Sequence, residues 1–140
     1  MNTNKLLFGT LIGGVAFFLL GWLLYDMVFS KTLADLMPGM ADIQRPNKEY
    51  DMVAMVVASL AFGFLLAYIF EKWAVIRSFM GGLVAGATIC FIMAIAYDSI
   101  WHATTTVGSW GGTALDAVIS AIQGGIAGGV IGWWLGYNRK

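Results

Sequence analysis

Charged residues, cysteine and proline are all scarce in this chain of 140 residues. Only 11% of the residues are charged, against roughly 25% in soluble domains, so the composition excludes an ordinary soluble protein. The net charge is zero, and no basic excess indicates nucleic acid as a partner. The single cysteine, Cys90, excludes an intramolecular disulfide and a cysteine-based metal site within one chain, and we predict that it is a small core residue.

Sequence motifs of known catalytic chemistry are missing as well. The chain has no HExxH sequence, no Cys/His framework, no phosphate-binding loop and no nucleophile motif. His102 is the lone histidine and cannot ligate haem from both sides within one chain. The sequence therefore gives no positive indication of an enzyme, and no cofactor is predicted.

Long apolar stretches are what the chain does have. Hydrophobic residues make up 59% of it, and the mean hydropathy is +0.78. Four stretches reach the roughly 20 residues that a transmembrane helix needs, and none alternates as a strand would. We predict an all-α integral membrane four-helix bundle, one domain over residues 1–140, with spans at about 6–29, 52–70, 78–101 and 113–137.

The ends of the spans predict a topology. The first stretch is too long for a signal peptide, so we interpret it as a retained span. The connection at 71–77 is short, which predicts that the second and third spans are antiparallel neighbours. Five basic residues share the side of both termini, which predicts that both termini are cytoplasmic: Lys5, Lys72, Arg77, Arg139 and Lys140.

The two halves of the chain resemble each other. Tyr25-Asp26 matches Tyr97-Asp98 near the ends of the first and third spans, and the second and fourth spans can be matched with a different offset. Other matched positions are Gly9 with Gly81, Gly14 with Gly86, Asp51 with Asp116 and Gly63 with Gly128. Two tandem two-helix repeats would explain the pattern, and chance matching in a glycine-rich sequence is the alternative.

Glycines recur at four-residue spacing in three of the spans. Glycine at this spacing lets two helix backbones approach closely in a membrane, either within one bundle or between copies in a homo-oligomer. The predicted packing positions are Gly9, Gly13, Gly82, Gly86, Gly124, Gly128, Gly132 and Gly136.

Five polar residues are predicted at the side opposite the termini: Asp26, Asp51, Asp98, Asp116 and His102. Asp51 and Asp116 fit helix starts, and Thr113-x-x-Asp116 has the spacing of a capping box. Asp26 and Asp98 lie near helix C-termini, where the helix dipole disfavours an anion. They either reach water or basic side chains, or they form a pocket with Tyr25, Tyr97 and His102 that binds an ion or a proton.

The end of the first span resembles a family of uncharacterised bacterial membrane proteins with four helices. The resemblance lies in Gly21, Trp22, Tyr25, Phe29, Ser30 and Lys31, with Ser30 in place of the family's glycine. It implies a fold and a location, and no activity.

Three functions are compatible with these features. The first is an accessory or self-assembling membrane subunit, as a homo-oligomer or within a larger complex in the lipid bilayer. The second is ion- or proton-binding transport at the carboxylates, and the third is binding of a lipid or hydrophobic cofactor between helices.

Overall fold

The computed structural model describes residues 1–137 and is helical, with no strand in that range. Arg139 and Lys140, which contribute to the predicted topology, lie outside it. Four helices are long and apolar enough to cross a membrane: Thr3–Val28, Met52–Trp73, Phe79–Thr104 and Trp110–Gly136. The predicted all-α fold is therefore confirmed, and the arrangement is compatible with a four-helix bundle.

Two of the spans change helix type near their ends. The first is α1 (Thr3–Gly21) followed by a π-helical turn (Trp22–Val28), and the second is α3 (Met52–Tyr68) followed by a π-helical turn (Ile69–Trp73). The third and fourth spans are α4 (Phe79–Thr104) and α5 (Trp110–Gly136). The connection after the first span holds α2 (Ser30–Leu36) and two short 3₁₀ turns, Pro38–Asp42 and Pro46–Lys48.

Polar side chains begin each spanning helix. The N-cap side chain accepts a hydrogen bond from a main-chain N–H in the first turn, which satisfies a donor that the helix itself cannot pair. These caps are Asn2 for α1, Asp51 for α3, Ser78 for α4 and Ser109 for α5. The predicted helix-start role of Asp51 is confirmed, since it accepts from the N–H of Ala54 at 3.1 Å.

The spans pack in an order that differs from the chain order. α1 packs along α3 and also against α5, whereas α4 packs along α5. The prediction that the second and third spans are neighbours is wrong, because α3 and α4 make no comparable contact. Val75 adopts a left-handed backbone conformation (φ 51°) in the connection, and the packing of α4 is set instead by glycines that match α5.

α5 is the central helix of this arrangement. In its most apolar window 44% of the residues are buried, against 22% in the windows of the second and third spans. Leu66, Phe70, Ile131 and Leu135 are fully buried in the core where α3 and α5 meet the first turns of α1. We call the end of the helices that holds Asn2 and Tyr137 the terminal end. The opposite end, which holds the connections at 29–51 and 105–109, is called the loop end.

Candidate functional site

The Tyr25-Asp26 pair lies in the π-helical turn that ends the first span. The N–H of Phe29 donates to the carbonyl of Leu24, five residues earlier, at 2.9 Å. A π-helical turn holds one more residue than an α-helical turn and is found frequently at functional sites. Within this turn Tyr25 faces α5, and Asp26 faces the loop that precedes α3.

Tyr25 connects the first span to α5 through two polar contacts. Its hydroxyl donates to Oδ1 of Asp116 at 2.6 Å and lies 3.2 Å from Oγ of Ser120. Asp116 and Ser120 are one helical turn apart, so they present oxygens on the same face of α5. Asp116 follows the N-cap Ser109 by a rise of roughly 10 Å along the helix, which places the contact inside the span.

Asp98 adds a second carboxyl group from α4. It is half-buried and interacts directly with the carboxyl of Asp116. Its Oδ2 is buried and has no hydrogen-bond donor among residues 1–137. Two carboxyl groups in contact repel when both are ionised, and one proton held between them removes that repulsion and supplies the missing donor. We call Tyr25, Asp98, Asp116 and Ser120 the carboxyl cluster.

The predicted capping role of Asp116 is wrong. Ser109, four residues before Thr113, is the N-cap of α5 and accepts from the N–H of Gly112 at 3.0 Å. The Thr113-x-x-Asp116 spacing imitates a capping box, but α5 starts one turn earlier at Trp110. Asp116 therefore does not cap the helix, and its carboxyl group accepts a hydrogen bond from Tyr25 instead.

His102 lies one turn beyond Asp98 towards the loop end. Its ring packs against Trp110 with centroids 4.7 Å apart, and Nδ1 is buried without a partner among the described residues. A Cβ built on Gly108 would come within 2.6 Å of the Cα of His102, so only glycine lets the 105–109 loop cover this turn. His102 thus lies between the carboxyl cluster and the loop.

Asp26 and Tyr97 lie apart from this cluster. Asp26 accepts a hydrogen bond from the hydroxyl of Tyr50 at 3.0 Å, while Tyr97 is 67% exposed and stacks on Trp101. Burial and the contact with Asp26 raise the pKa of Tyr50. The structure therefore brings together Tyr25, Asp98 and, one turn away, His102, and it does not bring together the two matched Tyr-Asp pairs.

The glycines of α4 and α5 form the closest helix contact. A Cβ built on Gly82 would overlap the carbonyl oxygen of Gly128, and one on Gly86 would overlap that of Gly124. Gly132 and Gly136 likewise face the carbonyls of Ser78 and Arg77. All four predicted glycines of α5 therefore face α4 or the residues just before it, and this face is covered within the chain.

The glycine contact between α1 and α3 joins Gly13, a predicted packing position, with Gly14 and Gly63, which were not predicted to pack. A Cβ on Gly63 would lie 2.5 Å from the nitrogen of Gly14 and 3.0 Å from the carbonyl carbon of Gly13. Gly9, by contrast, has room, since a Cβ there would be 3.5 Å from Cβ of Ala67. The missed signal was the pair Gly13-Gly14 opposite a lone glycine in α3.

The terminal end is closed by a buried ion pair. Oε2 of Glu71 is 2.8 Å from a guanidinium nitrogen of Arg77, and the Glu71 side chain is 1% exposed. Nη1 of Arg77 donates to the carbonyls of Phe70 and Ile76, which holds the connection between α3 and α4.

Two more polar contacts stabilise the interior. Nε2 of Gln123 donates to the carbonyl of Phe17 at 2.8 Å, joining α5 to α1 at mid-span. Nζ of Lys5 donates to the carbonyl of Leu135 at 3.3 Å and caps the end of α5. Cys90 is buried against Gly124, as a small core residue would be.

No group of three or more His, Cys, Asp or Glu side chains in residues 1–137 is close enough to hold a metal ion. Comparison of the chain with family models, curated proteins and solved structures found no match. The functional argument therefore rests on the geometry of the chain itself.

Proposed function

We propose that this protein is a multi-pass membrane protein that binds a proton at the Asp98–Asp116 pair. The observation that carries the proposal is the contact of two carboxyl groups inside the spans, with one buried oxygen of Asp98 that has no donor among residues 1–137. Ionisable residues within spans are expensive and mark proton relays or ion sites in many membrane proteins. Tyr25 donates to the same pair, so the proton also influences the contact between α1 and α5.

The proton reaches the pair from the loop end in this proposal. His102 lies one turn from Asp98 on the side of the loop end, and its Nδ1 is buried without a partner among the described residues. Towards the terminal end, α4 and α5 meet through glycines rather than polar side chains. Proton binding from one side is therefore the step that the geometry supports, and transport across the membrane would need a further conformational change.

Infrared spectroscopy of the protein in lipid tests this proposal. A protonated carboxyl has a distinct carbonyl absorption, and we expect that absorption in the wild type and its loss in Asp98→Asn. The matched control is Asp51→Asn, which removes a carboxyl from the loop end and leaves an equally good N-cap. An unchanged absorption in Asp98→Asn would contradict proton binding at this pair.

A second candidate is an accessory or self-assembling membrane subunit. Its support is the first half of α3, where Val53 and Val57 are 74% and 60% exposed. The glycine face of α5 is already covered by α4, so assembly would use the exposed face of α3. Disulfide trapping of Val57→Cys in a Cys90→Ser background tests this. A strict monomer that gives no cross-link and retains no other protein would refute it.

The location and the origin of the chain are also proposals. A bacterial inner membrane with cytoplasmic termini is supported by the basic residues of the terminal end and by the resemblance of the first span. An internal duplication is supported by the matched Tyr-Asp pairs, although α1 contacts α5 and α4 has no equivalent contact with α3. A glycine zipper between α4 and α5 is supported by the close approach at Gly82 and Gly86. Accessibility of single cysteines introduced at either end would test the orientation.

A further inference from the structure

An open cleft of about 540 Å³ lies at the loop end, and none of the residues that line it belongs to the carboxyl cluster. Phe18 and Trp22 form its apolar part, and Asp26, Lys48 and Tyr50 form its polar part. The cleft lies where the π-helical end of the first span meets the segment that leads into α3. This level corresponds to the boundary between the apolar spans and the polar connection, where lipid headgroups are found.

An apolar groove continues from this cleft along the span. The groove has a volume of about 250 Å³ and runs between α1 and α3, lined by residues that include Gly14, Val56 and Leu60. Phe18 lines both the cleft and the groove, so the two are adjacent. Gly14 and Trp22 are separated by roughly 12 Å along the helix axis, which is enough for part of an acyl chain.

The charges of the cleft have opposite signs and are not paired with each other. Lys48 forms no ion pair within residues 1–137. Asp26 accepts from Tyr50 with Oδ1, which leaves Oδ2 open to a further donor. A cation and an anion side by side at an interface complement a ligand that carries a phosphate and an ammonium group.

We propose that this cleft and groove bind a zwitterionic phospholipid whose headgroup carries a primary ammonium. Lys48 contacts the phosphate, Asp26 accepts from the ammonium, and one acyl chain lies in the groove between α1 and α3. Tyr50 holds the carboxylate of Asp26 in position through its hydroxyl. The site is separate from the carboxyl cluster, and neither proposal depends on the other.

Native mass spectrometry of the delipidated protein tests the proposal with two probes. These are phosphatidylethanolamine, which has the ammonium, and phosphatidylglycerol, which lacks it. We expect the wild type to retain one molecule of the first lipid and to bind it about tenfold more tightly than the second, which is the effect of one charge-assisted hydrogen bond. Equal affinity for the two lipids, or tighter binding of phosphatidylglycerol, would overturn the proposal.

Three variants locate the site. Lys48→Gln and Asp26→Asn are each expected to weaken phosphatidylethanolamine binding about tenfold. Val56→Trp should fill the groove and displace the acyl chain without changing the charges. The matched control is Lys31→Gln, which removes an exposed cation of α2 at the same end and should bind as the wild type does. Unchanged binding in Lys48→Gln and Val56→Trp, with unchanged thermal unfolding, would refute the assignment.

Discussion

Replacing Gly82 by alanine tests the contact between α4 and α5 with a single added carbon. The new Cβ would overlap the carbonyl oxygen of Gly128 and lie 2.8 Å from its carbonyl carbon. Carbon atoms in ordinary contact are about 3.5–4.0 Å apart, so the helices must separate by about 1 Å. A gap of that size removes about a quarter to a half of the dispersion attraction across the contact.

The expected loss of stability follows from two opposing terms. Overpacking substitutions destabilise proteins by about 1–3 kcal/mol. Alanine has a better helix propensity than glycine, which offsets at most about 1 kcal/mol of this. We therefore expect Gly82→Ala to lower the free energy of unfolding by up to about 2 kcal/mol relative to the wild type.

Gly9→Ala is the matched control for this prediction. It makes the same chemical change in a spanning helix, but its Cβ would meet Ala67 at 3.5 Å, which is an ordinary contact. The difference between the two variants therefore isolates the packing term from helix propensity. Reversible unfolding in mixed micelles, followed by circular dichroism, measures both. If Gly82→Ala proves no less stable than Gly9→Ala, the close approach of α4 and α5 is wrong.

Four further substitutions test other contacts. Tyr25→Phe removes the hydroxyl that donates to α5 and should cost about 1–3 kcal/mol in the same unfolding assay; no loss would contradict the contact. Glu71→Gln breaks the buried ion pair and should cost about 3 kcal/mol or more, whereas a loss near zero would place that pair in solvent. Gln123→Leu removes a mid-span hydrogen bond and should cost about 0.6–1.7 kcal/mol; greater stability would refute its role. Burial and the contact with Asp26 raise the pKa of Tyr50. Because the folded state favours the protonated phenol, the contact stabilises the fold at neutral pH. This stabilisation is lost as the pH rises through the raised pKa of Tyr50. Asp26→Asn should let the phenolate form at lower pH in an ultraviolet titration, and an unchanged titration would contradict the contact.

The helices could be predicted from the sequence far better than their packing order. Apolar stretches of this length leave few alternatives, and the cap at Asp51 follows from its residue type and position. Glycine spacing shows that one face of a helix allows the close approach of another helix. It does not show which of the other helices packs against that face. The pairing of Gly82 and Gly86 with α5 rather than α3 therefore needed the three-dimensional arrangement.

The candidate site was predicted in part, because the sequence does not show which residue of each Tyr-Asp pair faces the other helices. Sequence reasoning selected Asp98, Tyr25 and His102 but grouped them with Asp26 and Tyr97. In the structure Tyr25 contacts α5 and Asp26 contacts Tyr50, so the two residues of the pair lie on different sides of the first span. Asp116 was assigned to a capping box because its spacing from Thr113 is that of a capping box. The sequence around Ser109, where α5 begins one turn earlier, is not distinctive enough to exclude that assignment.

A double-substitution experiment tests the central claim, which is that Asp98 and Asp116 share one proton. The carbonyl absorption of protonated carboxyl groups is measured in lipid for Asp98→Asn, Asp116→Asn and the double variant. If the proton is shared, each single variant loses the same absorption as the double variant. With one carboxyl group replaced, the other has no neighbouring charge to repel it and ionises, so no protonated carboxyl group remains. Two separate absorptions that disappear one with each substitution, or an absorption that persists in the double variant, would contradict the claim.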